Sequence, residues 1–406
     1  MPASAASRLV TGPFDEAVVR ATAEDLRSQL ADKPTFALAF VTPDYAEKGA
    51  EFLELIRVYG HVATVVGCTG TGLAGASREQ EDGSGFSLML VSAPGATATA
   101  FPFKQDDVEV CSSPEFWRQK TKLQPADVKA WLVFPNPFSV NVEAWLKQWN
   151  QAYPQIPIFG GYAGGFMGDP EAWVFCDDQV VTGGVALALQ GDIAVHSIVA
   201  QGCKPIGEPL TVTQADNNIL LTLGSRPAYD VLTEVYKELS DSEREQARGH
   251  LFAGLAVSEY LEEFKQGDFL VRNIIGADQK SKAVAINAVP RVGQTLQYQL
   301  RDAHVATDEL KRLLLEQQKQ VGTTPYAGLL CTCHGRGQGL FGGPNHDAAL
   351  INQFFPNLPL GGFFANVQIG PVGDRSFLHG YTASLVLITS GTNLKQPGLF
   401  DGVEKL

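Results

Sequence analysis

No apolar stretch of this chain approaches the ~20 residues needed to cross a bilayer, and Met1–Thr11 holds no basic region followed by an apolar run. A spanning helix and a secretory leader are both excluded, so the expected setting is the cytoplasm. Cysteine is scarce, with six in 406 residues, at positions 68, 111, 176, 203, 331 and 333. That is too few and too irregular for a disulfide framework, and reduced thiols are expected. Basic residues are also short: 31 Lys and Arg face 44 Asp and Glu, the net charge is -13, and no Lys/Arg cluster interrupts it. Such a surface repels a phosphate backbone, so no nucleic-acid partner is expected. A Walker loop, a Gly-x-Ser-x-Gly elbow and a paired-carboxylate motif are missing, and no cofactor is expected.

Apolar residues, by contrast, make up 45% of the chain, enough for a large core and more length than one compact domain needs. Phe36–Val41 reads as a strand, Tyr45–Tyr59 as a helix, His61–Val66 as a strand stopping at Gly67-Cys68-Thr69-Gly70-Thr71-Gly72, and Phe86–Val91 as a further strand. The order recurs in Val128–Phe134, Val142–Tyr153, Ile156–Phe159 running into Gly160 to Gly165, and Val185–Leu189. It recurs again in Ala327–Cys331, Ala348–Phe355, Leu358–Leu360 reaching Gly361-Gly362, and Ala383–Ile388. An internal repeat follows. Between the second and third copies lie strands such as Phe269–Ile275, Ala283–Ile286 and Thr295–Leu300, and helices over Ala228–Leu239 and His304–Gln317, the latter capped by Asp302. The fold class expected is α/β (α+β), with mixed sheets from repeated β-α-β-β units in two packed domains. An N-terminal segment covers 1–34, the domains 35–225 and 226–390, and a C-terminal tail 391–406.

Each strand-helix-strand crossover makes its two strands parallel, so the loops after both emerge at one sheet edge, where α/β proteins bind ligands. The third copy is richest there: Cys331-Thr332-Cys333-His334-Gly335-Arg336-Gly337 faces Gly361-Gly362-Phe363-Phe364. Arg336 supplies a fork suited to a carboxylate, the glycines let a ligand approach backbone N–H groups, Phe363 and Phe364 offer apolar contact, and Asn366 or Gln368 reads a polar substituent. Cys68, Thr69 and Tyr162 mark secondary clefts in the other copies. Two sharper chemistries compete. Cys331, Cys333 and His334 offer three metal ligands, with His346 as a fourth, although strand alternation sends at least one thiol into the core. Cys333 could serve as a nucleophile beside His334. Gly67-Cys-Thr-Gly-Thr-Gly72 departs from the dinucleotide spacing and precedes no helix, so Rossmann binding is not expected.

Val65-Val66-Gly67-Cys68-Thr69-Gly70-Thr71-Gly72 resembles the N-domain motif of the FIST family. Gly293 to Arg301-Asp302-Ala303, Cys333-His334-Gly335-Arg336-Gly337, Gly361-Gly362-Phe363-Phe364 and Ile369-Gly370-Pro371 resemble its C-domain motifs. The resemblance implies that 35–225 is a FIST N-like domain and 226–390 a FIST C-like domain. It implies a sensory module that binds a small ligand, an amino acid or other small carboxylate, and signals through a partner protein. It implies no reaction. The alternatives are a thiol-dependent enzyme using Cys331 or Cys333, or an interaction scaffold without a ligand. Gln368 stands where relatives commonly carry Glu, which removes a charge. The residues before Phe36 hold no Leu-rich helical set, so the F-box adaptor role of some relatives is not expected.

Overall fold

The computed structural model describes residues 2–164, 172–247, 249–261 and 263–391. The expected tail from 392 onward, and Gly165, lie outside the described residues. The chain is a mixed α/β fold in which one strand-helix pattern runs three times. The first unit comprises β1 (Ser4–Thr11), α1 (Glu16–Ser28), β2 (Phe36–Val41), α2 (Gly49–Tyr59), β3 (Val65–Thr69), the hairpin β4 (Gly72–Ala74) and β5 (Glu79–Gln80), and β6 (Gly85–Ser92). The second comprises β7 (Ala96–Phe103), α3 (Gln105–Val110), α4 (Pro114–Thr121), β8 (Ala130–Pro135), α5 (Val142–Ala152), β9 (Ile158–Gly161), the hairpin β10 (Val174–Cys176) and β11 (Gln179–Val181), and β12 (Gly184–Gly191).

The third unit opens with β13 (Ala194–Ala200) and is then interrupted by an insert. This holds β14 (Cys203–Asp216), β15 (Ile219–Leu223), β16 (Arg226–Pro227), α6 (Ala228–Glu238), α7 (Asp241–Gln246), β17 (Leu251–Ala256), β18 (Phe269–Asp278), β19 (Ala283–Ile286) and β20 (Thr295–Arg301). The unit resumes with α8 (Ala303–Gln320), β21 (Ala327–Cys333), α9 (Gln338–Phe341), α10 (His346–Phe354) and β22 (Leu360–Ala365). The hairpin β23 (Gln368–Val372) and β24 (Arg375–His379) and then β25 (Ala383–Thr389) complete it. Asp302 caps α8, accepting from the N–H groups of His304 at 2.8 Å and Val305 at 3.0 Å.

The topology shows why the units cannot come apart. Each forms a six-stranded sheet in the same order: outer strand, closing strand, then two parallel strands, then a hairpin that belongs to another unit. The β10–β11 hairpin of the second unit extends the first sheet, β23–β24 of the third extends the second, and β4–β5 of the first extends the third. The exchange closes a ring. It also adds to the sequence reading, which assigned no strand to these segments and took Phe36–Val41 as the first; β1 precedes it and pairs with β6 along its whole length.

The inner faces of the three sheets share one core, at whose centre Phe40, Phe134 and Phe363 meet. Phe40 stacks on Phe363 at 4.6 Å and meets Phe134 edge-on at 5.2 Å. Helices cover the outer faces, each with its own apolar layer, the second unit's being rich in Trp117, Trp131, Trp145 and Trp149. The insert folds over a separate core against α6. Its first and last strands meet at Cys203 opposite Arg301, so it leaves and rejoins the ring through a two-strand neck.

Candidate functional site

A correction concerns where the glycine-rich segments lie. Gly67, Gly72, Gly160, Gly161, Gly361 and Gly362 lie within strands, not loops. Gly67 faces Ala39, Gly160 faces Val133 and Gly362 faces Leu330 across the three parallel pairs, and in each case a Cβ would overlap the opposing carbonyl oxygen. The glycines let neighbouring strands close up in a crowded core. The ligand-facing edge therefore falls after these strand glycines.

At that edge the loops of all three units converge beneath the insert around a cleft of about 1250 Å3. Thr71 comes from the first unit, Pro137, Asn141 and Tyr162 from the second, and Cys333, His334, Gly335 and Asn366 from the third. The β24 turn adds Tyr381, and the insert closes the cleft with Arg272 and Asn273 of β18 and with Asn287 and Arg291. Backbone bonds hold the loops in place: Tyr162 N–H donates to Val367 O at 2.9 Å, and Thr71 N–H to Phe364 O at 3.0 Å. The insert is fastened there too, by Tyr381 Oη donating to Asn273 Oδ1 at 2.6 Å and Arg272 Nη1 donating to Leu378 O at 3.2 Å.

The residues singled out in the sequence divide between this cleft and the interior. Gly335, Asn366 and Tyr162 line the cleft, as does Cys333. Arg336 does not. It is 1% exposed, and its fork is taken by Asp347, Nε to Oδ2 at 2.8 Å and Nη2 to Oδ1 at 2.9 Å. Asp347 also accepts from Thr332 Oγ1 and pairs with His346 Nδ1, both at 2.9 Å, and His346 Nε2 reaches Thr307 Oγ1 at 2.9 Å. Burial opposes the charge on Arg336, but Asp347 outweighs it and raises its pKa. Burial likewise opposes the charge on Asp347, and Arg336 and His346 hold that carboxyl well below its usual range.

Phe363 and Phe364 are enclosed in the core, as are Cys68 and Thr69 in β3, and Gly361 packs against Met89. Gly337 lacks a side chain where Glu81 comes in to accept from Gln338 N–H at 2.9 Å. Gln368 is fully buried, donating to Ala365 O at 2.6 Å and accepting from Thr382 N–H at 3.3 Å, so its amide closes a turn. Cys331 is enclosed beside Cys68 and burial raises its pKa, while Thr332 turns to the other face of β21. For the metal alternative of Cys331, Cys333 and His334, among the described residues no group of three or more His, Cys, Asp or Glu is placed to hold an ion.

The cleft residue that sequence reasoning missed is Arg272. Its Nη1 donates to Val271 O at 3.0 Å as well as to Leu378 O, and among the described residues no carboxylate pairs with it. Burial lowers its pKa, partly offset by Glu143 and Tyr162 at longer range. The available signal was an arginine in the middle of the apolar run Phe269-Leu-Val-Arg-Asn-Ile-Ile275. His379, also at the cleft, donates from Nε2 to Gly370 O at 3.0 Å, and burial lowers its pKa to about 4.

Among the described residues no helix is long and apolar enough to cross a membrane. An uncharacterized protein of Mycobacterium tuberculosis is 32% identical over 379 residues, 93% of this chain and 97% of that protein. One of Mycobacterium bovis is 31% identical over 372 residues, 92% and 95% of the two chains. A cyanuric acid hydrolase structure from A. caulinodans aligns at 9% identity over 96% of this chain and all of its own, with a TM-score of 0.35, too low to define a shared fold. Models of the FIST N domain and the FIST C domain match residues 35–226 and 228–371. The chain belongs to the FIST family, whose domains are sensory, signal-transduction modules.

Proposed function

We propose that the protein is a cytoplasmic sensor that reversibly binds a small carboxylate, an amino acid among them, in the cleft between the ring and the insert, and signals through a partner protein. Arg272 is the observation that carries this reading. A half-buried guanidinium with two carbonyls on one nitrogen, and Glu143 acting on it only at longer range, has charge left to pair, and a ligand carboxylate supplies the partner. Tyr162, Asn366 and Tyr381 give the rest of the ligand both ring surface and hydrogen-bonding groups. Because ring and insert both contribute, a ligand there stabilises one arrangement of the two, which is what a sensor needs.

The test is a thermal-shift series with amino acids, dicarboxylates and their neutral amides, on the wild type and on Arg272→Ala. A ligand at a hundredfold excess over its Kd stabilises by about 2.7 kcal/mol. The carboxylates should raise the Tm, the amides should not, and Arg272→Ala should lose the response. Equal responses to acids and amides, or a response unchanged in Arg272→Ala, would overturn the reading.

A further inference from the structure

The charges lining the cleft run against those of the whole chain. Acidic residues outnumber basic ones 44 to 31 in the sequence, yet the cleft is lined by Lys147, Arg272, Arg291 and Arg375 against three acids, Glu81, Asp82 and Glu143. Glu81 is already engaged, both of its oxygens accepting from Gln338 N–H at 2.9 Å. Among the described residues none of the four cations forms an ion pair, whereas Arg8, Arg20, Arg57, Arg226 and Arg312, away from the cleft, each hold a carboxylate. Unpaired cations gathered on one concave surface of a protein with a net charge of -13 make that surface the place for an anion.

Two of these cations mark the two ends of β24. Arg272 Nη1 donates to Leu378 O at 3.2 Å, near the end of that strand. Arg375 opens it, three residues earlier, which is about 10 Å along an extended chain. Lys147 belongs to the Arg375 end, because Asn150, one turn further along α5, clasps Ser376 through both backbone groups, Nδ2 to O at 2.9 Å and N–H to Oδ1 at 3.1 Å. Phe377 stands between the two ends on β24, and Leu146 lines the cleft from the adjoining face of α5, so the stretch between the charges is apolar. The volume agrees with a long occupant: about 1250 Å3 exceeds even the ~300–1,000 Å3 that encloses a drug-sized ligand.

We propose that the ligand of this cleft is an elongated dianion, with one carboxylate on Arg272 and a second carboxylate or phosphate about 10 Å away at Lys147 and Arg375. The inference rests on the reading of Arg272 as a carboxylate anchor, and adds to it a far anchor, a length and a second charge. A short monoanion reaches only one of the two ends. A dianion of the right length reaches both, and the far pair then discriminates between ligands that Arg272 alone holds equally well.

The experiment is calorimetric titration of the intact protein with succinate, adipate, suberate and sebacate, each beside its monomethyl ester, which keeps the length and one carboxylate and loses the second charge. Sebacate, whose extended length matches the spacing, should bind about tenfold or more tighter than its ester, the effect of one charge-assisted hydrogen bond, and succinate should gain little over its own. Lys147 and Arg375 are exposed, so Lys147→Met with Arg375→Met should leave the fold intact, lower sebacate to the affinity of its ester and leave the ester unmoved. Lys147→Arg with Arg375→Lys, which keeps both charges, should retain most of the difference. An analogue of sebacate with a phosphonate in place of one carboxylate supports the dianion by also outbinding the ester, and its rank against sebacate assigns the far group to phosphate or to carboxylate. Arg272→Ala should weaken esters and dianions alike. Esters and dicarboxylates that bind equally at every length, or a preference for sebacate that survives the double Met variant, would overturn the elongated dianion and leave the Arg272 anchor standing; no binding of either, or ester binding unmoved by Arg272→Ala, would overturn both.

Discussion

Arg336 is buried and Arg272 half-buried at the cleft, and one has a carboxylate oxygen on each of two nitrogens of its fork while the other has two carbonyls on a single nitrogen. The first is a scaffold. It ties the turn after β21 to α10, and its partner Asp347 is itself satisfied by Thr332 and His346. The second is an open valence at the junction of two folding units. Residue type says little about function until the partners are counted, because a guanidinium's chemistry belongs to whichever anion reaches it first.

Breaking the paired arginine gives the largest expected effect. Asp347→Ala leaves Arg336 as an uncompensated buried charge and should cost about 3–5 kcal/mol in urea unfolding, whereas replacing both residues by apolar ones of similar volume should cost far less. Arg272→Ala removes a charge that has no carboxylate to strand, so its effect on the unliganded protein should stay within about 1 kcal/mol. Comparable losses for Asp347→Ala and Arg272→Ala would dissolve the distinction between the two sites.

The same contrast applies to the aromatic residues. Phe363 stacks on Phe40 in the common core of the three sheets, and Phe363→Ala should cost about 3–5 kcal/mol whether or not a ligand is present. Tyr162 lines the cleft, so Tyr162→Phe should shift ligand response more than stability. Next in size is Gly362→Ala, in which the new Cβ meets Leu330 O across the parallel pair; a cost of about 1–3 kcal/mol is expected from the forced shift of two packed strands.

That glycine explains what was legible in the sequence. The apolar runs and helical periodicities located the paired strands and crossover helices of all three units, since burial on both faces writes a continuous apolar signal. The parallel pairing across each crossover pointed to one sheet edge with Cys68, Thr69, Tyr162 and Cys333; Tyr162 and Cys333 line the cleft, whereas Cys68 and Thr69 are enclosed in β3 and Thr71 lines it instead. The strand ends were misread because glycine marks both turns and close strand approach, and only the opposing carbonyl tells them apart. Arg336 was misread because its partner Asp347, 11 residues away, begins a helix, and sequence does not report that the helix points its first turn back at β21. Nor could it report the hairpin exchange: β4, β10 and β23 are short segments whose partners lie in other units.

A pH-dependent effect comes from two carboxylates at the start of α10 whose pKa values are driven apart. Glu79 of the exchanged hairpin accepts from Ala348 N–H at 2.9 Å; burial and then the nearby Asp347 raise its pKa from 4.5 to about 8, against the opposing pull of that N–H. In the folded state it keeps a proton that the unfolded chain has released. Stability should therefore decline as pH rises from about 4.5 to about 8 and level off above that, the slope following the difference in bound protons. Asp347, held below its usual range, contributes the opposite way, and its stabilisation is lost only as pH falls through its folded pKa. Glu79→Gln keeps the shape and removes the titration, so urea unfolding across that interval should show a flatter pH dependence in the variant. A slope identical to that of the wild type would mean that Glu79 is ionised where the hairpin of the first unit docks on the third.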